Sequence, residues 1–450
     1  MRDSQSHSSG APDRASRRLL VVGMARSGIA AAKLAVSQGH RVVCTDRRPD
    51  APVVPGTESV YGAHRLEDFL GADAIIVSPG VPAALPELRA AVAAGVEVVG
   101  ELAWAAEQLA CPILAVSGTN GKSTTTHLLA QLCANAGMRS FEGGNIGRPL
   151  SEAVNGEWEV AVVEVSSYQM ELPGRFRPRA AAILNLTPDH LERHGTMEAY
   201  GAHKCRMFAR MGPDDAAIVP NGDARLRRLA DEHPGKRFLL GSHPGVTIEG
   251  DRLVLRGVHD PGEVPLAGFT LPGNHNVENL AAAVLLAMFA GLWRRDLDVS
   301  RLGGLPHRME LVHEAGGVRW IDDSKATNVD SAVACYQGFV GPFVALLGGA
   351  GKAGAQYDVL APALRNARHV LCFGADGPVI QAALARNEVP ASLVPTLGAA
   401  IEAARAAARG GDTVILSPAC ASFDEFRDFE DRGRFFRVRV RGVPAITAST

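Results

Sequence analysis

Short runs of valine, isoleucine and leucine recur along the chain, each closing on a small or polar residue. They are LLVVG (19–23), RVVCTD (41–46), AIIVSPG (74–80), ILAVSG (113–118), VAVVEVS (160–166), AAILNL (181–186), VALLGG (344–349), HVLCFG (369–374) and TVILS (413–417). Inside a run the apolar residues are continuous rather than alternating. Alanine-rich stretches at 28–38, 87–94, 123–136 and 358–367 lie between runs and read as helices. Continuous apolar strands alternating with helices predict an α/β fold whose parallel sheets are covered on both faces. In such sheets ligands bind beyond the carboxyl ends of the strands, which is where chemistry is sought.

The strands fall into three groups, in keeping with 450 residues at roughly 150 per domain. The expected domains are 18–100, 101–304 and 305–450. The first and last are predicted to be Rossmann-like, and the central one a phosphate-loop ATPase domain with a parallel sheet. A β-rich insert is expected over 237–272, before a helix at 277–291. Residues 1–17 are polar, mixing serine, arginine and aspartate, and read as a disordered leader.

Charge excludes some partners. The chain has 46 basic and 48 acidic residues, a net −2, which gives no electrostatic case for nucleic acid or a membrane surface. The longest apolar run, 280–293, falls short of the ~20 residues of a spanning helix and reads as a buried helix. Seven cysteines without a C-x-x-C pair predict neither a disulfide framework nor structural zinc, and suit the cytoplasm.

GMARSG (23–28) leaves one strand and opens a helix, as a dinucleotide fingerprint does, but Ala25 stands where the middle glycine belongs. Asp46 closes the next strand at the distance of a ribose-binding acid. A glycine turn serving only strand–helix packing is the plainer alternative.

SGTNGKSTTT (117–126) is the strongest signal. Gly118 and Gly121 let the backbone wrap a phosphate chain. Lys122 reaches the terminal phosphates and Ser123 offers a hydroxyl to Mg²⁺. Glu164 closes a strand and reads either as a magnesium ligand or as a capping or salt-bridged acid. In NLTPDHLERH (185–194), His190 and His194 are four apart, but the glutamate at 192 breaks the zinc-hydrolase pattern. From local pattern alone Lys204 reads as a solvated helix lysine. Lys325 and Lys352 lie just beyond apolar strands, where they suit a dicarboxylate.

GTNGKSTTT, GGNIG (143–147), EVSSYQ (164–169), NLTPDHLERH and AHKCRMF (202–208), in this order, resemble the Mur ligase family, which is related to folylpolyglutamate synthetases. The likeness continues through LPGNHNVENLAAA (271–283), LPHRMELV (305–312), IDDSKATN (321–328) and LSPACASFDEFRDFEDRG (416–433). It covers nearly everything beyond residue 17.

The resemblance implies a cytoplasmic, ATP-dependent ligase of cell-wall precursor synthesis. It would add glutamate to UDP-N-acetylmuramoyl-L-alanine through an acyl-phosphate, with ATP and Mg²⁺ as cofactors, as a monomer without a nucleic-acid partner. ATP contacts fall on Gly118, Thr119, Asn120, Gly121, Lys122, Ser123, Thr124, Asn276, Asn279, Arg308 and Asp323. Ser123, Glu164, His190 and Lys204, the last as a carbamate, would hold metal. Ser27, Asp46, Ser78, Gly80 and Asn145 would lie along the UDP-sugar. Thr327, Lys352, Ser422 and Phe429 would hold glutamate, and Lys325 would sit near the reacting phosphate. The loop AGKAGAQYD (350–358) departs from the family's pattern around Lys352.

Three other classes fit less well. A switch GTPase would carry a guanine-reading N-K-x-D motif. An oxidoreductase would want glycine at position 25. A non-catalytic nucleotide binder would not need the set of magnesium-type ligands. Among ligases, a folate-type glutamate ligase is the nearest alternative, and the complete first domain speaks against it.

Overall fold

The computed structural model describes residues 16–271, 273–339, 341–352 and 354–442, which contain twenty strands in three sheets. The chain divides into two compact units. Residues 1–265 and 281–298 make the first, 266–280 and 299–450 the second. No single helix among the described residues is long and apolar enough to cross a membrane.

The first sheet comprises β1 (Arg18–Val22), β2 (Arg41–Asp46), β3 (Thr57–Tyr61), β4 (Ala74–Val77) and β5 (Glu97–Gly100), in the parallel order 3-2-1-4-5. The order reverses between β1 and β4. That reversal is the switch point where open α/β sheets take ligands, and the loops 23–25 and 78–81 that follow the two strands meet there. The helix Arg26–Ser37 packs through Ala30, Ala31, Ala32 and Ala35, whose small side chains bring it close to the sheet.

The second sheet runs through β6 (Ile113–Ser117), β7 (Ser140–Gly144), β8 (Val160–Glu164), β9 (Ala180–Ile183), β10 (Ala216–Pro220) and β11 (Lys236–Leu240). It continues in β12 (Gly245–Glu249), β13 (Arg252–Arg256) and β14 (Gly262–Pro265), giving the order 14-13-12-11-10-9-6-8-7. The expected β-rich insert is the antiparallel meander β12–β14 at one edge. Every residue of β6, β8 and β9 is buried, which is why they are apolar without alternation. Val116 pairs with Glu164, and Ser117 with Ile183, so three strand ends meet at one edge.

The third sheet holds β15 (Glu310–Ala315), β16 (Val318–Asp322), β17 (Phe343–Gly348), β18 (Ala367–Phe373), β19 (Ser392–Leu393) and β20 (Thr413–Ala419), in the order 15-16-20-17-18-19. Only β15 is antiparallel to its neighbour.

Two expectations shift. The helix expected at 277–291 spans Asn274–Ala287, followed by a 3₁₀ turn Met288–Ala290. The leader expected at 1–17 lies outside the described residues up to residue 15. Its last two residues are tied down: Ser16 donates to Gly39 O at 2.9 Å, and Arg17 pairs with Glu97 at 2.9 Å.

Candidate active site

Residues 118–121 form a tight turn between β6 and the helix Lys122–Asn135. Gly118 (φ 146°) and Gly121 (φ 84°) occupy backbone conformations that side chains rarely adopt. The Asn185 side chain accepts from the N–H groups of Thr119 (3.1 Å) and Asn120 (2.9 Å), and so braces the turn from the end of β9. The helix N-terminus beyond it presents backbone N–H groups, the arrangement that receives phosphate.

Lys122 Nζ lies on the turn itself, donating to Gly118 O (2.9 Å) and Thr119 O (2.7 Å). Ser123 Oγ donates to Glu164 Oε2 at 2.6 Å, and Asn145 Nδ2 to Glu164 Oε1 at 2.8 Å. Glu164 is 2% exposed. The parallel pairing of β6 with β8 places this carboxylate beside the turn.

Lys204, near the end of the helix Met197–Cys205, is also 2% exposed, so the solvated-lysine reading does not hold. Its Nζ donates to Gly118 O at 2.9 Å and lies 4.5 Å from the centre of the Tyr200 ring. Burial, and secondarily the Lys122 charge, press its amine well below the ordinary lysine value.

His190 has φ 54° and Nδ1 2.9 Å from Tyr168 Oη. His194 Nε2 lies 2.9 Å from Ser167 Oγ, and its ring packs on Tyr168, Tyr200 and His203. Burial, then His203, lower His194 to about 4. Its part is to pack the wall of the site as a neutral ring.

The donors meet magnesium's demand for hard oxygen only in part. Ser123 and Glu164 supply hydroxyl and carboxylate oxygens. The Lys204 ammonium does not fit a divalent cation, whereas its carbamate would.

In the first sheet Ser78 Oγ donates to Gly23 O at 2.6 Å, fastening the loops after β1 and β4 together. Asp46 accepts from Met24 N (2.7 Å) and from Arg48 Nη2 (2.9 Å) and Nε (3.1 Å). Burial alone would raise its pKa, but the Arg48 and Met24 bonds bring it down to about 2. That carboxylate is thus engaged by its own chain. Ser27 is the second residue of the helix Arg26–Ser37, and Gly80 faces open space. Asn145 stands on Glu164 rather than with this group.

In the second unit Asp323, Lys325 and Thr327 follow β16, Lys352 follows β17 and Ser422 follows β20, while Asn276 and Asn279 lie on the helix Asn274–Ala287. Asp323 accepts from Ser417 Oγ at 2.7 Å, and burial raises its pKa to about 6. Arg308 lies near enough to oppose that shift. Lys325 Nζ is 4.3 Å from the centre of the Phe429 ring. Thr327 N donates to Lys325 O at 2.8 Å. Ser422 is buried and Lys352 exposed. Asn276 and Asn279 join at 3.3 Å on one face of the helix Asn274–Ala287.

Sequence reasoning missed Asn185, Tyr200 and Arg432. Arg432 is fully buried, donating to Ser324 Oγ (2.9 Å), Ser324 O (2.8 Å), Cys420 O (3.0 Å) and Ala421 O (3.1 Å). The asparagine in NLTPDH, at a strand end, was the available signal for Asn185. His307, Glu310 and Asp322 also converge, but Arg437 holds Glu310 at 2.6 and 2.8 Å and already supplies the positive charge there.

Three family models match the chain. They are the Mur ligase MurD-like N-terminal domain over 17–100, the Mur ligase middle domain over 116–287, and the Mur ligase glutamate ligase domain over 307–420. The UDP-N-acetylmuramoylalanine–D-glutamate ligase of Anaeromyxobacter dehalogenans is 41% identical over 456 residues, covering 95% of this chain and 98% of that one. The protein of the same name from Myxococcus xanthus is 40% identical over 454 residues, with the same coverage. Among solved structures, the fold is similar to that of the UDP-N-acetylmuramate-alanine ligase of Thermotoga maritima. The TM-score is 0.58 at 19% identity, covering 94% of this chain and 99% of that one.

Proposed function

The chain belongs to the Mur ligase family, and we propose that it joins UDP-N-acetylmuramoyl-L-alanine to D-glutamate at the expense of ATP. The observation that carries this reading is the phosphate turn at 118–121, with Lys122, Ser123, Glu164 and Lys204 drawn in around it. The near-full-length identity to two D-glutamate ligases supports the choice of substrates. The reading places the enzyme in the cytoplasm.

The triphosphate would lie on the turn, its negative charge met by backbone N–H groups and by Lys122 leaving its carbonyl partners. Asn276, Asn279, Arg308 and Asp323 are the proposed contacts to the rest of ATP. Magnesium, held by Ser123, Glu164, His190 and carbamylated Lys204, would supply positive charge beside the phosphates. The downward pressure on the Lys204 amine favours its neutral form, which is the form that attacks carbon dioxide, gaining a carboxylate as the nitrogen loses a proton.

The substrate carboxylate attacks the γ-phosphorus and ADP leaves, giving an acyl-phosphate. Such transfer depends on positioning and charge stabilisation. The glutamate amine then attacks the acyl carbon. The tetrahedral adduct expels phosphate, and the nitrogen gives up a proton to form the amide. His190 is the candidate base, a role that its magnesium ligation would compete with. Thr327, Lys352, Ser422 and Phe429 are proposed to hold glutamate, with Lys325 near the transferred phosphate. Ser27, Asp46, Ser78, Gly80 and Asn145 are proposed along the UDP-sugar.

The test is phosphate release from ATP with UDP-N-acetylmuramoyl-L-alanine and each glutamate enantiomer. Release that needs both substrates and prefers the D enantiomer is expected. Release independent of either substrate removes the reading.

A further inference from the structure

The loop after β17, where the sequence departs from its family around Lys352, is braced from below by one phenol. Tyr357 is 3% exposed, and its hydroxyl donates to Asp376 Oδ2 at 2.8 Å. The same oxygen lies 3.3 Å from Cys420 Sγ. With the phenol proton given to Asp376, the thiol is the donor in that second contact. One hydroxyl therefore joins the segment after β18 to the end of β20.

The loop rests directly on this chain of contacts. A Cβ at Gly351 would overlap both Asp376 Oδ2 and Tyr357 Oη, and neither atom can withdraw without breaking its bond. Asp376 N donates to Gly349 O at 2.9 Å, and Ala350 N to Ala421 O at 2.9 Å. Gly351 precedes Lys352, and Ala421 precedes Ser422. The two residues proposed to bind glutamate thus take their spacing from a frame with the Tyr357 hydroxyl at its centre.

We propose that Tyr357 is a positioning residue for the incoming amino acid, acting through Gly351 on Lys352 and through Cys420 on Ser422. This rests on the reading that Lys352 and Ser422 hold glutamate. The phenol touches no substrate. Its loss loosens two contacts without removing either one.

Tyr357→Phe keeps the ring and deletes only the hydroxyl. The three Michaelis constants and kcat are measured by phosphate release, alongside a thermal melt. A rise in KM for glutamate of about five- to tenfold is expected, the effect of one lost hydrogen bond. KM for ATP and for the UDP-sugar should stay within about twofold, since only uniform binding of one substrate is lost. Gly351→Ala, which leaves the phenol in place and pushes on it from the loop side, should reproduce that split. An unchanged KM for glutamate in both variants overturns the role, as does an equal rise in all three constants with a lowered melting point. Wild-type protein that makes no product with either enantiomer overturns the ligase reading itself; an active wild type with an indifferent Tyr357→Phe overturns only the role of Tyr357.

Discussion

The Ser123 hydroxyl donates to the Glu164 carboxylate at 2.6 Å, joining the phosphate helix to the end of β8. A hard cation entering there would take both oxygens as ligands, replacing their mutual bond. Glu164→Gln keeps the shape and an acceptor for Asn145 but removes the charge. Magnesium titration of the activity should then show half-saturation raised by about tenfold or more. An unchanged titration would return Glu164 to a structural role.

Lys122→Ala should abolish ligation, with a loss on the order of a hundredfold or more in phosphate release, since a cation aimed at developing phosphate charge is gone. Its present partners are carbonyls of an already glycine-shaped turn, so the melting temperature should hardly move. Near-wild-type turnover would remove the phosphate-turn assignment.

Lys204→Ala should be nearly inactive and partly restored by small carboxylates, which replace the anion a carbamate provides. Native mass spectrometry of the wild type should show an adduct of one carbon dioxide that Lys204→Ala lacks. Full activity without rescue would leave Lys204 a packing residue.

Asp323 supplies a pH signature. Its folded pKa, about 6, lies above the ordinary 3.8 because burial penalises the carboxylate. Between those values the folded state binds more protons than the unfolded one, so this group's contribution to stability falls as pH rises from about 4 to about 6 and is flat above. The unfolding free energy of wild type minus that of Asp323→Asn should follow this course in urea melts. A difference independent of pH would show that folding leaves the Asp323 pKa unchanged.

Arg432→Leu tests the third sheet. Burial lowers this guanidinium to about 10, yet it stays protonated and gives its N–H groups to a serine hydroxyl and three carbonyls. Leucine would leave those acceptors buried without donors, costing about 3 kcal/mol or more. The midpoint of chemical denaturation should fall accordingly.

Much of this architecture was legible in the runs of apolar residues. Central strands such as β6 and β8 are apolar throughout because both faces are covered, and their ends announced Gly118 and Glu164. Edge strands announced nothing. β3 (TESVY) has no buried residue, and β7 (SFEGG) ends in glycine. Lys204 was opaque for a different reason. Its helix has no marked apolar stripe, and the lysine is buried against Tyr200, one turn earlier on the same helix, and against Gly118, which comes from a turn far away in sequence. The engagement of Asp46 by Met24 and Arg48 was equally invisible, because it depends on how the turn after β1 folds back.

The carbonyl oxygen of Gly118 accepts from Lys122 and Lys204 together, at 2.9 Å each. Two positive charges on one oxygen repel, and the Lys122 charge, after burial, helps press the Lys204 amine below its ordinary value. An anion that draws Lys122 away relaxes the penalty on Lys204, and a negative group formed on Lys204 strengthens the hold of Lys122. A single backbone atom thereby makes the occupancy of the turn and the chemical state of a lysine 86 residues away reciprocal variables.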